Sequence, residues 1–206
     1  MDLSTFLRGL AIGLSIAAPV GPIGVLCIRR TLADGRAIGF ASGLGAATAD
    51  GFYGAVAAFG LSLVTNTLVN QRWWLQAVGG IFLCYLGVRT WLAVPAAASG
   101  KAAGGRRLTA AWASTFALTL TNPATIISFA AIFAGLGLGR SARGYGAASL
   151  MVLGVFLGSA LWWLMLSTGV GLLQSTLTRD RLRWVNRCAG LTITAFGVAA
   201  LVGLMI

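Results

Sequence analysis

One carboxylate stands alone in a long apolar stretch of this 206-residue chain. Asp50 is the only charged residue between Ala37 and Thr65, and it is one of only four acids, none of them Glu. An ionised and unpaired acid in hydrocarbon costs at least a few kcal/mol, so burial favours its protonated form. We therefore predict that Asp50 is a proton-coupling residue, which releases its proton when water reaches it. The alternative is a purely structural polar contact. Tyr53, three residues on, is predicted to hydrogen-bond to it.

Two proline motifs supply further groups that could bind a solute. AAPVGPIG places Gly21 between two prolines, and TLTNPATI places Thr121 and Asn122 before a third. A proline inside a helix removes a hydrogen bond and clashes with the carbonyl four residues back, so each motif predicts a helix break. In lipid such a break survives only against protein or a wet cavity. The alternative is a pair of structural kinks. We predict that the breaks bind the polar ends of a substrate, with these substrate-binding residues: Pro19, Gly21, Pro22, Tyr53, Thr121, Asn122 and Pro123.

Other chemistry has little support from the residue types. The chain has no His, and its cysteines, Cys27, Cys84 and Cys188, show no metal-binding spacing. We therefore predict no catalytic residue, no metal site and no cofactor, and we predict that the protein is not an enzyme. An intramembrane thiol carrier would need matching cysteines in the two proline-broken helices, and the second of these helices has none.

The elements that position these residues are predicted to be membrane-spanning helices. The chain is 58% hydrophobic and 9% charged, whereas a soluble domain carries about 25% charged residues. Helices are expected because backbone polar groups in lipid must be satisfied within their own segment. The fold class is thus an all-α integral membrane protein, a single domain over 1–206, with six transmembrane helices of which the first and fourth are broken by proline. The uncharged or nearly uncharged spans are Leu10–Ile28, Ala37–Thr65, Trp73–Pro95, Thr109–Leu138, Gly144–Thr178 and Cys188–Ile206. Trp162 and Trp163 lie deep in the fifth span, where they could line a cavity, and packing is the favoured role.

The net charge of +11 is divided unevenly between the two ends of these helices. Eleven basic residues fall on one side: Arg29, Arg30, Arg36, Arg89, Lys101, Arg106, Arg107, Arg179, Arg181, Arg183 and Arg187. Four fall on the other: Arg8, Arg72, Arg140 and Arg143. Short loops rich in Lys and Arg stay in the cytoplasm, so the first side is predicted to be cytoplasmic and both termini periplasmic. The basic residues then act as topology signals and lipid contacts, and no nucleic-acid partner is predicted.

An internal repeat organises the sequence. Trp74-Leu75-Gln76, Gly80 and Gly87 recur 110 residues later as Trp184-Val185-Asn186, Gly190 and Gly197. The proline breaks in the first and fourth helices are a second correspondence. Three helices per half is an odd number, so the halves cross the membrane in opposite directions, as in many secondary transporters. The predicted plan is two inverted three-helix repeats: repeat 1 over 1–95, a cytoplasmic linker over 96–108 and repeat 2 over 109–206.

The chain resembles the LysE/RhtB-type amino-acid exporters, the lysine-exporter and homoserine/threonine-exporter family, most clearly in APVGPIGVLCIRRTLADGRAIGFASGLGAATADGFYGAVAAFGL. The similar features are the Pro-Gly-Pro-like break, Gly35-Arg36, Asp50, Gly60-Leu61, Asn122-Pro123 and the glycine-rich last helix. Two departures concern the first break: a valine precedes Gly21, and Ile23 stands where many members have Asn. The resemblance implies export of an amino acid or similar small metabolite, driven by the proton gradient.

These inferences together predict a secondary transporter of the bacterial inner (plasma) membrane that exports amino acids or related small metabolites by proton antiport. Its predicted partners are a small-molecule substrate, protons and the lipid bilayer. The sequence allows a homo-oligomer and does not decide the oligomeric state. The alternative is an exporter of cations or another small solute, in which carbonyls freed at the breaks would supplement the single carboxylate of Asp50.

Overall fold

The structure is a computed structural model that describes residues 3–19, 21–59, 71–94, 104–122, 124–129 and 145–205. The described residues form helices and no strands, which confirms the all-α prediction. The α-helices are α1 (Leu3–Ala17), α2 (Pro22–Asp34), α3 (Arg36–Ala58), α4 (Arg72–Trp91), α5 (Gly105–Leu120), α6 (Tyr145–Leu172) and α7 (Arg179–Val202). A 3-10 turn covers Gln174–Thr176, and residues 124–129 are helical as well.

The first predicted span consists of two helices that meet at a sharp bend. α1 and α2 are inclined by 80° to each other across the break between Ala17 and Pro22. Pro22 lies in the first turn of α2, where a residue without an N–H group loses no intrahelical hydrogen bond. At the other end of α2, Gly35 has a φ of 100°, a conformation that glycine adopts without strain, and it turns the chain directly into α3.

The second break separates α5 from the helical residues 124–129. Pro123 lies outside the described residues, but Asn122 shows how the second segment starts. Its side-chain Oδ1 accepts from the N–H of Ala124 at 3.1 Å, and its carbonyl accepts from Thr125 and Ile126. Asn122 therefore caps this segment, as residues with a short side-chain acceptor commonly do at a helix start.

The last helix starts earlier than the span predicted for it. α7 begins at Arg179, and the Thr178 hydroxyl accepts a hydrogen bond from the N–H of Arg181 at 3.4 Å. The arginine-rich stretch before Cys188 is therefore helical, because a capping threonine and Asp180 in the first turn favour a helix start there. Hydropathy alone places the boundary where the charged residues end.

Among the described residues, two helices, α6 and α7, are long and apolar enough to cross a bilayer, and the bent pair of α1 and α2 is a third candidate. α3 and α4 have 23 and 20 residues, which is also sufficient length. Their composition is less apolar, since α3 consists largely of Ala and Gly and contains Asp50. The count of six spans therefore stays a prediction.

The bundle is built from two antiparallel and two parallel helix pairs. α4 packs against α7 and α3 against α6, both antiparallel, while α1 runs parallel to α6 and α5 runs parallel to α3. Glycines allow the close approach in each pair: a Cβ at Gly13 would meet the carbonyl of Val155, and one at Gly45 would meet that of Trp112. Helix pairs that lack a hydrophobic driving force in lipid commonly associate through such small residues.

Candidate functional site

A cavity of about 390 Å³ lies where the two helix breaks approach each other. Its described lining includes six of the eight predicted site residues: Pro19, Gly21, Pro22, Asp50, Thr121 and Asn122. The fold thus brings the two proline motifs and the isolated acid to one place, although about a hundred residues separate the motifs in the sequence. Ligand pockets typically span about 300 to 1,000 Å³, so this cavity suits a small molecule.

Asp50 is the acid of this cavity. Only 3% of the residue is exposed, and its Oδ2 accepts a hydrogen bond from the fully buried Ser159 hydroxyl at 2.7 Å. The described lining contains no Lys or Arg. A substrate ammonium group entering the cavity would therefore find one carboxyl and no competing cation.

Tyr53 does not bond to Asp50, which corrects the prediction for this pair. Its hydroxyl donates to the carbonyl of Leu120 at 2.6 Å, and its ring packs on Phe129 with a centroid distance of 5.5 Å. Residues three apart on a helix point about 60° away from each other around the axis. Asp50 therefore faces α6 while Tyr53 faces α5. Leu120 is the last residue of α5, so Tyr53 satisfies a carbonyl freed by the second break and is not part of the described cavity lining.

The cavity has a polar side and an apolar side. The polar side is formed by α3, α5 and the segment after it, through Asp50, Thr119, Thr121, Asn122, Thr125 and Ser128. The apolar side is formed by α4 and α7, through Gly79, Gly80, Leu83, Phe196 and Ala200. This arrangement can hold an amphipathic molecule, with its polar groups towards α3 and α5 and its hydrocarbon part towards α4 and α7.

Trp163 also lines the cavity, which the sequence left as the alternative to the favoured packing role. The residue is 5% exposed, and its indole Nε1 is buried with no hydrogen-bond partner among the described residues. The sequence signal for a role in the cavity was the position of Trp163 in the middle of a span, because tryptophans that anchor a helix lie at the membrane interface.

A network of polar contacts joins the helices at the end of the bundle where α2 ends and α5 and α7 begin, which we term the basic end. Arg30 donates to Ser42 Oγ, Thr115 Oγ1 and Ser114 Oγ at 2.9 Å each and to the carbonyl of Ala111 at 3.1 Å. The guanidinium group thereby ties α2 to α3 and α5. The sequence predicted Arg30 as a topology signal and a lipid contact.

Further contacts at the basic end involve Arg29 and Asp34. Arg29 Nε donates to Oδ1 of the buried Asn186 at 3.0 Å, and the Asn186 amide donates to the carbonyl of Ala93 at 3.0 Å. Asp34 pairs with Arg29 and with Arg107, each at 3.3 Å. α2 is therefore connected to α7 and α5, and none of these residues belongs to the described cavity lining.

The chain matches the family model of the LysE type translocators over residues 14–203. The chain belongs to this family. It is 29% identical over 199 residues to "Putative amino acid efflux protein YcgF" of Bacillus subtilis (strain 168), a match that covers 95% of this chain and 94% of that protein. No solved structure matches it significantly. LysE type translocators are membrane proteins, and membership of this family points to transport and away from enzymatic chemistry.

Proposed function

We propose that this LysE type translocator exports amino acids across the bacterial inner membrane by proton antiport, with the substrate in the cavity between the two helix breaks. The observation that carries the proposal is the meeting of Asp50 with both breaks in one cavity. Broken helices at the site are a common feature of secondary transporters. The relative in Bacillus subtilis, named for amino acid efflux, supports the substrate class.

The charges of the cavity favour an amino acid with an uncharged side chain. One carboxyl and no basic residue in the described lining suit a substrate with a single ammonium group. The side-chain ammonium group of a lysine or the side-chain carboxylate of a glutamate would be buried without a counter-ion, which is strongly unfavourable. The apolar side formed by Leu83, Phe196 and Ala200 gives an aliphatic side chain a complementary surface.

The inverted repeat is part of the proposal, and the contacts between α4 and α7 support it. A Cβ at Gly80 would lie 3.2 Å from the carbonyl of Gly197, and one at Gly87 would lie 2.8 Å from that of Gly190. The counterpart of Gly80, 110 positions later, is Gly190, and the counterpart of Gly197, 110 positions earlier, is Gly87. The first contact and the second are therefore related by the repeat. Between them, Cys84 Sγ lies 4.0 Å from the carbonyl of Thr194, its own counterpart.

The middle helices give the same result. A Cβ at Gly45 would meet backbone atoms of Trp112 and Phe116, and one at Gly154 would meet those of Phe6 and Leu10. Both α3 and α6 thus hold, in parallel, the first helix of the opposite half, as two inverted repeats require. Asp50 on α3 and Ser159 on α6 face each other as counterparts in the two halves. The two halves therefore differ here, since one carries an acid where the other carries a hydroxyl.

The basic end is proposed to be cytoplasmic, in line with the charge distribution. The contacts of Arg29, Arg30 and Asp34 then close the cytoplasmic side of the cavity. An exporter must open this side to load its substrate, so these contacts are proposed to break and re-form in each cycle.

A growth and efflux screen tests the proposed function. Cells that overexpress the protein and cells that lack it are compared on toxic concentrations of neutral, basic and acidic amino acids and of divalent metals. The proposal expects overexpression to protect against neutral amino acids and to lower their intracellular pool. Protection confined to metals would favour a cation exporter, and no protection against any amino acid would contradict the proposal.

A further inference from the structure

The indole N–H of Trp163 is a buried hydrogen-bond donor. Buried polar groups in native proteins nearly always have a hydrogen-bond partner, so a buried and unpartnered N–H needs an explanation. Nε1 of Trp163 has none among the described residues. Since the residue lines the cavity, a bound molecule is a direct source of the missing acceptor.

Trp163 lies close to the acid of the same cavity. It follows Ser159 by one turn of α6, and Ser159 donates to Asp50 at 2.7 Å. One helical turn rises about 5.4 Å, so Ser159 and Trp163 leave α6 one turn apart. Asp50 and Trp163 both line the cavity, where one small molecule can contact both. Trp163 also packs in one apolar cluster with Ala17 and Ile23, on the two sides of the first helix break.

We propose that Trp163 is a substrate-binding residue, whose indole N–H donates a hydrogen bond to the carboxylate of the amino acid while Asp50 faces its ammonium group. This inference rests on the proposed function and adds a residue and its role. An indole nitrogen is a donor only, so it pairs with a carboxylate and not with an ammonium group. The described lining has no cationic side chain, and neutral donors must therefore bind the carboxylate.

The positive end of the α2 dipole assists the same group. α2 begins at Pro22, and Gly21, Ile23 and Gly24 line the cavity with it. A helix start favours negative charge beside it. Because Nε1 is itself buried, the proposed hydrogen bond requires the indole to rotate towards the cavity as the carboxylate binds.

The decisive variant is Trp163→Phe, which keeps an aromatic ring and removes the N–H group. Trp162→Phe is the matched control, since Trp162 is the neighbouring tryptophan on α6 and is not part of the described lining. We expect Trp163→Phe to raise KM for the best exported amino acid by about tenfold, the effect of one lost hydrogen bond to a charged group. The maximal rate should stay within about twofold, because binding is the step that the lost bond affects. The control should leave both parameters unchanged.

Substrate analogues identify the group that the indole binds. The wild type should discriminate against the amide of its substrate, which lacks the carboxylate, and Trp163→Phe should lose most of that discrimination. If Trp163→Phe folds poorly, benzothienylalanine at position 163 replaces the N–H by sulfur at the same shape. Unchanged KM and unchanged discrimination in either variant would overturn the inference, as would a fall in the maximal rate alone. A wild type that exports no amino acid would instead contradict the proposed function.

Discussion

Pro22 fixes the start of α2 at the wall of the cavity. Replacing it with Ala restores an N–H group and removes the restriction on φ, so the chain can extend the helix backwards into the break. We expect Pro22→Ala to insert normally but to export at least about fivefold more slowly, because loss of one or more kcal/mol of binding has this effect. Efflux of a labelled amino acid, measured at equal protein level, checks it. Undiminished export would make Pro22 a simple kink residue.

The individual residues differ in how far the sequence could predict them. Asp50 and the prolines were predictable because an acid or a proline in an apolar span needs a special environment. The partner of Tyr53 was not, since it depends on the direction in which α3 faces α5. The N–H of Trp163 was not either, because only the packing of α6 against α2 and α3 shows that no acceptor among the described residues lies nearby.

At the scale of the elements, α2 is a short helix that links the cavity to the basic end. Its start lines the cavity, and its end is tied to α3 and α5 by Arg30 and to α7 by Arg29. A movement of α2 would therefore couple the cavity to the basic end. The four acceptors of Arg30 are neutral, so these bonds can break without separating an ion pair.

Arg30→Met tests whether this tie closes the site. The variant keeps a long side chain but removes all four hydrogen bonds, so the basic end should open more often. A single cysteine at Thr119, in a background without Cys27, Cys84 and Cys188, reports access to the cavity. We expect a thiol reagent in everted vesicles to label it at least about threefold faster in Arg30→Met, which corresponds to a modest shift in population. Arg89→Met is the control, because the hydrogen bond of Arg89 to a described residue lies within α4, to Tyr85 at 3.2 Å. Equal labelling in all three backgrounds would contradict the gating role.

The element boundaries show a limit of hydropathy. The break in the first span was predictable from its two prolines, and the structure gives it a bend of 80°. The start of α7 was not predictable from hydropathy, because the arginines of its first turns are typical of a loop. Thr178 nevertheless caps a helix there. The pairing of helices was also beyond the sequence, since regularly spaced glycines show that helices approach closely and do not show which ones.

At the scale of the whole molecule, the proposed inverted repeat fixes the topology. An odd number of spans in each half places both termini on the same side of the membrane. The uneven charge distribution places that side outside. Reporter fusions at residues 36 and 104 should read cytoplasmic, and fusions at residue 70 and after residue 206 should read periplasmic. A cytoplasmic C-terminus would contradict both the orientation and the repeat.

The central claim is that Asp50 couples proton entry to amino-acid exit, and transport by Asp50→Asn tests it most directly. The substitution keeps the shape and an acceptor for Ser159 but cannot release a proton. In everted vesicles with an acidic interior, the wild type should accumulate a labelled neutral amino acid, and an uncoupler should abolish this. Ser159→Ala keeps the carboxyl and should still accumulate it. Asp50→Asn should exchange the amino acid in both directions but accumulate none. Accumulation by Asp50→Asn equal to that of the wild type would contradict the account.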